Sequence, residues 1–214
     1  MFAVQVFTFS PIQENTYVLV NEQGEGLVID PGCYGEEEQE ALAGFFTQNG
    51  VQPKLLLQTH CHLDHVFGTR WLAGAYGLVP QLHPLEEELL ALAPAMGLAW
   101  DMPFDGYQGP LGFLEPGRAI VLGADRLDVL YVPGHSPGHC CFYCAAQGFV
   151  IGGDALFRDS IGRTDLPGGD YDTLIRGIRE QLFTLPDDTI VLPGHGPGTT
   201  IGYEKRHNPF LRLD

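Results

Sequence analysis

The residues best equipped for chemistry lie in one short run, Thr59-His60-Cys61-His62-Leu63-Asp64-His65. Residues two apart on a strand-like segment share a face, so His60 and His62 can chelate one ion together. Asp64 and His65 follow where the chain turns toward a helix and can reach a second ion. Imidazole and carboxylate are ligands for zinc, and iron or manganese also accept them. Three of the eight histidines fall within six residues beside an aspartate, a density that a polar loop with chance histidines does not explain.

Three further candidates recur in one pattern, an apolar strand ending in a glycine turn and then a possible ligand. His135 stands in Val132-Pro133-Gly134-His135-Ser136, Asp154 in Ile151-Gly152-Gly153-Asp154, and His195 in Leu192-Pro193-Gly194-His195-Gly196. A polar residue after a strand is commonplace, but three such ends beside the first cluster make a constellation. Loops at strand ends, held by a rigid scaffold, are where working groups gather. His139, in a Ser136-Pro137-Gly138-His139 turn, reads as a structural histidine, and His83 and His207 as exposed or locally bonded. Cys61 alternates with the two histidines and should face away from them, while Cys33 reads as a small buried residue.

The elements that must position these groups alternate short strands with helices. Residues 2–9, 16–20 and 26–29 read as strands, the last stopped by Asp30-Pro31-Gly32. A glutamate-led helix spans 36–49 and closes at Gly50. The apolar run 54–58 is a strand covered on both faces that delivers the histidine cluster, and helical spacing resumes over 66–76 and 85–97. Residues 100–117 read as a long loop near a site. Strands follow at 119–122, 127–132, 140–145 and 148–151, then a helix over 171–184 and a strand at 190–192. This order predicts an α/β protein in which two sheets pack together with helices outside, one domain over residues 1–214.

Composition narrows the partners. At 44% hydrophobic and 18% charged residues the chain is globular, not disordered. A net charge of -16 repels phosphate backbones and anionic bilayers, which argues against nucleic-acid or membrane partners. No run approaches the roughly 20 apolar residues of a membrane span. The start of the chain lacks the features of a secretory signal, and an odd count of five cysteines suits reduced thiols better than a disulfide framework. The expected location is cytoplasmic; the oligomeric state stays open.

Taken in order and spacing, HxHxDH followed by His135, Asp154 and His195 resembles the metallo-β-lactamase superfamily over nearly the whole chain. That resemblance implies a four-layer αββα sandwich. It implies that His60, His62 and His135 hold one ion, that Asp64, His65 and His195 hold another, and that Asp154 bridges them. Two ions about 3.5–4 Å apart can hold a bridging hydroxide near neutral pH and polarise a carbonyl. The expected reaction is attack of that hydroxide on a thioester, with Asp64 also assisting the hydroxide proton. The expected cofactors are two divalent ions, zinc first, with iron or manganese as alternatives.

Within the superfamily, Pro133-Gly134-His135-Ser136-Pro137-Gly138-His139 is similar to the signature of glyoxalase II, the hydroxyacylglutathione hydrolases, which suggests S-lactoylglutathione as substrate. Asn208-Pro209-Phe210-Leu211-Arg212 resembles the start of that family's glutathione-binding helix and would give Arg212 a substrate carboxylate, a ligand suited to its planar fork. The chain departs from that family in several places. Most of the C-terminal helical region is missing, and Pro197 stands where an aromatic residue is expected. Arg163 aligns with a substrate-contacting lysine, but Asp165 replaces a tyrosine. The stretch Gly162-Arg163-Thr164-Asp165 looks like the short, single-domain glyoxalase II-type proteins. Arg163 is thus either a second substrate contact or half of an ion pair with Asp159 or Asp165. Persulfide dioxygenases, which bind one iron and share this stretch, are one competing reading; a non-catalytic metal-binding module is another.

Overall fold

The structure, a computed structural model, describes residues 1–212. Each of its two mixed sheets lines up the carboxyl ends of parallel strands, where side chains from separate stretches of sequence meet. The chain divides into two compact units, Met1–Leu114 with Val121–Asp125 and Glu115–Ile120 with Arg126–Asp214.

The first unit carries a six-stranded sheet in sequence order, β1 (Ala3–Phe9), β2 (Glu14–Val20), β3 (Glu25–Ile29), β4 (Gln52–Leu57), β5 (Pro80–Leu82) and β6 (Gly112–Phe113). The first three strands pair antiparallel and the rest parallel. Between β3 and β4 lies α1 (Glu36–Asn49), whose first turn carries Glu36, Glu37 and Glu38 and which Gly50 ends at φ 64°. This matches the expected boundaries, because acid at the N-terminus and a left-handed glycine at the C-terminus are local signals. Leu42 and Phe46 of α1, with Leu72 and Ala73 of α3 (Thr69–Tyr76), cover Val18, Val28 and Leu56 of the sheet. A second cluster joins α2 (Leu63–Val66) to α4 (Glu87–Ala99) through Leu63, Val66, Leu90 and Ala93, with Cys61 buried among them and turned from the histidines.

In the second unit β7 (Ala119–Leu122), β8 (Asp125–Tyr131), β9 (Cys140–Cys144), β10 (Phe149–Gly153), β13 (Ile190–Pro193) and β14 (Thr199–Thr200) form a sheet of order β14-β13-β10-β9-β8-β7. Strands β8 and β10 both run antiparallel to β9, and β10 is parallel to β13. Three strands therefore deliver their C-termini to the same edge. A small hairpin, β11 (Leu156–Phe157) with β12 (Ser160–Ile161), follows β10. Leu174 of α5 (Tyr171–Gly177) and Ile201 of α6 (Ile201–His207) pack on Val150 and Val191 of the sheet.

The helix expected over 171–184 is shorter. It gives way to a π turn over Ile178–Leu182. Leu174, Ile178 and Leu182 are all fully buried, and a four-residue spacing drifts around a regular α-helix; the wider turn takes up that drift. The segment 100–117 is a loop apart from β6. No helix among the described residues is long and apolar enough to cross a membrane.

Candidate metal centre

Strands β3 and β4 are parallel neighbours, and their C-terminal ends place Asp30 beside Thr59 and His60. The Asp30 amide bonds the Leu57 carbonyl at 3.0 Å, and the Gln58 amide bonds that of Gln81 at 2.9 Å. The chain then leaves the sheet through His62 into α2, which carries Asp64 and His65 in its single turn. This unit thus brings four of the predicted ligands into one array. The His60 ring lies 4.7 Å from that of His62 and 4.1 Å from that of His65, centroid to centroid. His65 Nε2 stands 3.8 Å from Asp64 Oδ2.

Asp30 anchors this array and was missed in the sequence as a functional residue. It holds a left-handed φ of 50°, a conformation that few non-glycine residues adopt and that marks functional turns. Its Oδ1 accepts from the Thr59 amide at 2.7 Å, and its Oδ2 from the Thr59 hydroxyl at 2.5 Å. His65 Nδ1 is 3.1 Å from Oδ2. Asp30, His60 and His65 each bring a ligand atom within 4.8 Å of one another. The Asp30 oxygens already receive these hydrogen bonds, so this triad orients rings rather than ligating an ion. Glu14 lies behind it, fully buried, with Oε1 3.9 Å from His65 Nδ1. Burial drives its carboxyl well above the usual range, and His65 opposes that shift.

The second unit holds the other three. β8 leads to His135, β10 to Asp154 and β13 to His195, and the Gly194 amide bonds the Gly153 carbonyl at 2.7 Å across the parallel pair. Asp154 Oδ2 is 3.5 Å from His135 Nε2 and 3.7 Å from His195 Nε2. Those separations exceed a good hydrogen bond. They match the roughly 3.4 Å between two ligands of a tetrahedral ion with bonds near 2.1 Å. The donor set and its spacing therefore fit a divalent metal.

Each of these groups is held from behind. His135 Nδ1 faces the Arg163 carbonyl at 2.8 Å, which leaves Nε2 toward Asp154. His139 is not a ligand: its Nε2 accepts the Asp154 amide at 3.0 Å, so it aims the carboxylate through the backbone. A side chain at Gly162 would overlap the Asp154 carbonyl oxygen and press on His135 Nδ1, so only glycine lets the chain pass here after β12.

The two candidate substrate-binding arginines have partners of their own. The Arg163 guanidinium grips Asp165 with two bonds of 2.8 Å, the ion pair that was the alternative to a substrate contact. This grip lowers the Asp165 carboxyl to about 2. Arg212 is exposed, its guanidinium 3.4 Å from the His207 carbonyl. Asn208 to Leu211 form a turn after α6, with the Asn208 side chain on the Ser160 carbonyl and Glu204. All five cysteines are buried and none is in a disulfide.

Fold and ligand arrays together define a metal-dependent hydrolase. Comparison with known proteins agrees: the model for the metallo-beta-lactamase superfamily matches residues 10–195. The chain belongs to the metallo-beta-lactamase superfamily and has its fold of mixed sheets and helices. It is 35% identical to the hydroxyacylglutathione hydrolase GloC of Haemophilus influenzae, over 97% of each chain. Among solved structures it is similar to TTHA1623 in a di-iron-bound form, at 42% identity and TM-score 0.88, covering 97% of this chain and 100% of that one. It is also similar to the BLEG-1 B3 metallo-beta-lactamase, at 35% identity and TM-score 0.89, covering 98% and 99%.

Proposed function

We propose that this protein is a dinuclear metal hydrolase of thioesters, of glyoxalase II type, acting on a small molecule such as S-lactoylglutathione in the reduced cytoplasm. The observation that carries the reading is Asp154 Oδ2 set between His135 Nε2 and His195 Nε2 at ligand-to-ligand spacing, as a carboxylate serving two ions requires. The likeness to GloC and to a di-iron-bound structure supports it.

His60, His62 and His135 would hold one ion and Asp64, His65 and His195 the other, with Asp154 shared. A bound pair of divalent ions, zinc or iron, ionises water near neutral pH and polarises an acyl oxygen. The chain's own groups do the rest. Asp30, the Arg163 carbonyl and the His139 ring keep rings and carboxylate aimed before substrate arrives. Asp64 accepts the proton that the attacking water carries. A thiolate leaves readily at neutral pH, so no dedicated acid is needed. Arg163 and Arg212 offer forks for substrate carboxylates; Arg163 does so by exchanging Asp165, a solvent-exposed partner that a carboxylate of substrate can replace.

The test is elemental analysis of the purified protein followed by S-lactoylglutathione hydrolysis in the same sample. Close to two metal equivalents with thiol release supports the reading. One iron with oxygen uptake on a persulfide, or cleavage of a β-lactam without thioester turnover, would replace it. Replacing Asp64 with Asn should cut turnover while the remaining ligands retain metal; unchanged turnover removes its proton-accepting role.

A further inference from the structure

The hydroxyl of Thr59 touches two members of the site. Thr59 Oγ1 lies 2.5 Å from Asp30 Oδ2 and 3.0 Å from His60 Nδ1. A hydroxyl has one proton to give, and a carboxylate oxygen only accepts. The Thr59 proton therefore goes to Asp30, and the Thr59 oxygen receives the proton on His60 Nδ1. The same Asp30 oxygen stands 3.1 Å from His65 Nδ1 and takes its proton directly. Both rings are thereby left with their lone pairs on Nε2.

We propose that Thr59 is a positioning residue that relays the Asp30 carboxylate to His60, so that one buried carboxylate sets the tautomer of two ligand histidines. The proposal rests on the metal reading given above, which assigns these two rings to different ions. Asp30 reaches one ion's ligand directly and the other's through a single hydroxyl.

The surroundings suit a relay. Thr59, His60 and His65 are fully buried, so no solvent molecule stands ready to substitute for a lost partner. Threonine is stiff at χ1, which keeps the hydroxyl between its two neighbours. The Thr59 amide also donates to Asp30 Oδ1, so backbone and side chain grip opposite oxygens of one carboxylate. Gln58, with its amide oxygen turned to the Thr69 hydroxyl, donates to Asp30 Oδ1 at 3.1 Å and to the His65 carbonyl at 3.2 Å. The carboxylate is thus held against rotation, and its arms to His65 and to Thr59 are separable.

That separation gives the experiment. Thr59→Val keeps the shape and removes only the arm to His60; Thr59→Ser keeps the hydroxyl; Asp30→Asn disturbs both arms. Zinc-loaded full-length proteins are titrated with a competing chelator to resolve the two dissociation steps. Thr59→Val should weaken one step by about 10–100-fold and leave the other within about 3-fold, Thr59→Ser should restore the first, and Asp30→Asn should weaken both. Equal weakening of both steps by Thr59→Val, or none, overturns the relay. Imidazole 15N spectra of the wild-type chain read the tautomer without any substitution: a proton on His60 Nδ1 is required, and one on Nε2 in the metal-free protein overturns the proposal. A wild-type protein that binds no metal defeats the hydrolase reading instead, and the tautomer still decides the relay.

Discussion

A neutral imidazole offers one lone pair, and whatever accepts the proton of its other nitrogen decides where that pair points. In this chain the acceptors are ordinary groups placed without freedom: a hydroxyl for His60, a carboxylate for His65 and a main-chain carbonyl for His135. The last case separates two functions of one residue. Replacing Arg163 with Ala removes the fork but not the carbonyl, so metal content should stay at the wild-type level while KM for a carboxylate-bearing thioester rises several-fold. Loss of metal in that variant would show that the side chain supports His135 after all. His139 makes the opposite case, because only its ring receives the buried Asp154 amide. His139→Ala should cost about 1–3 kcal/mol, measured by denaturant unfolding, and a stability within error of wild type would deny it that structural part. The candidate ligands could be picked out because the three-histidine run and the three strand-glycine-polar ends are local patterns. Asp30, Thr59 and Glu14 were not: Asp30 meets His65 across 35 positions of chain, and no spacing rule connects them.

Elements transmit these placements through their ends. α1 could be delimited from sequence because its acidic first turn and its closing glycine both act locally. β5, β6, β14 and α6 escaped notice: the strands have two or three residues, too few to alternate, and α6 is set by Thr200, whose hydroxyl caps the Tyr203 amide at 3.2 Å. Thr200→Ala should cost about 1 kcal/mol, seen as a lower denaturant midpoint with unchanged slope. Gly134 is a harsher case. It holds φ 124°, and an added Cβ would lie 2.6 Å from Leu174 Cα in α5. Gly134→Ala combines backbone strain of about 1–3 kcal/mol with that clash. At about 2–4 °C per kcal/mol for a chain this long, Tm should fall by at least about 2 °C. Because the next residue is His135, metal affinity should fall with it. A melting temperature equal to wild type would mean the turn can move away from α5 without consequence.

For the whole molecule, the notable quantity is the acidic excess, 27 Asp and Glu against 11 Lys and Arg. Three of those carboxylates, Asp30, Asp64 and Asp154, are buried among the candidate ligands and do not face solvent. Buried carboxylates beside neutral imidazoles are costly unless cations stand among them. The ions proposed for this site would supply that charge to the native chain and find no preformed set of ligands in the unfolded one. Metal should therefore act on stability as a ligand of the native state. Free ion at 100 times its Kd adds about 2.7 kcal/mol, which for a chain of this length is about 5–10 °C in Tm. Dialysis against a chelator should lower the melting temperature by that amount, and stoichiometric zinc should restore it. A melting temperature indifferent to both chelator and zinc would mean that the ligand sets are held in place by their hydrogen bonds alone, and that no ion takes part in the folded state.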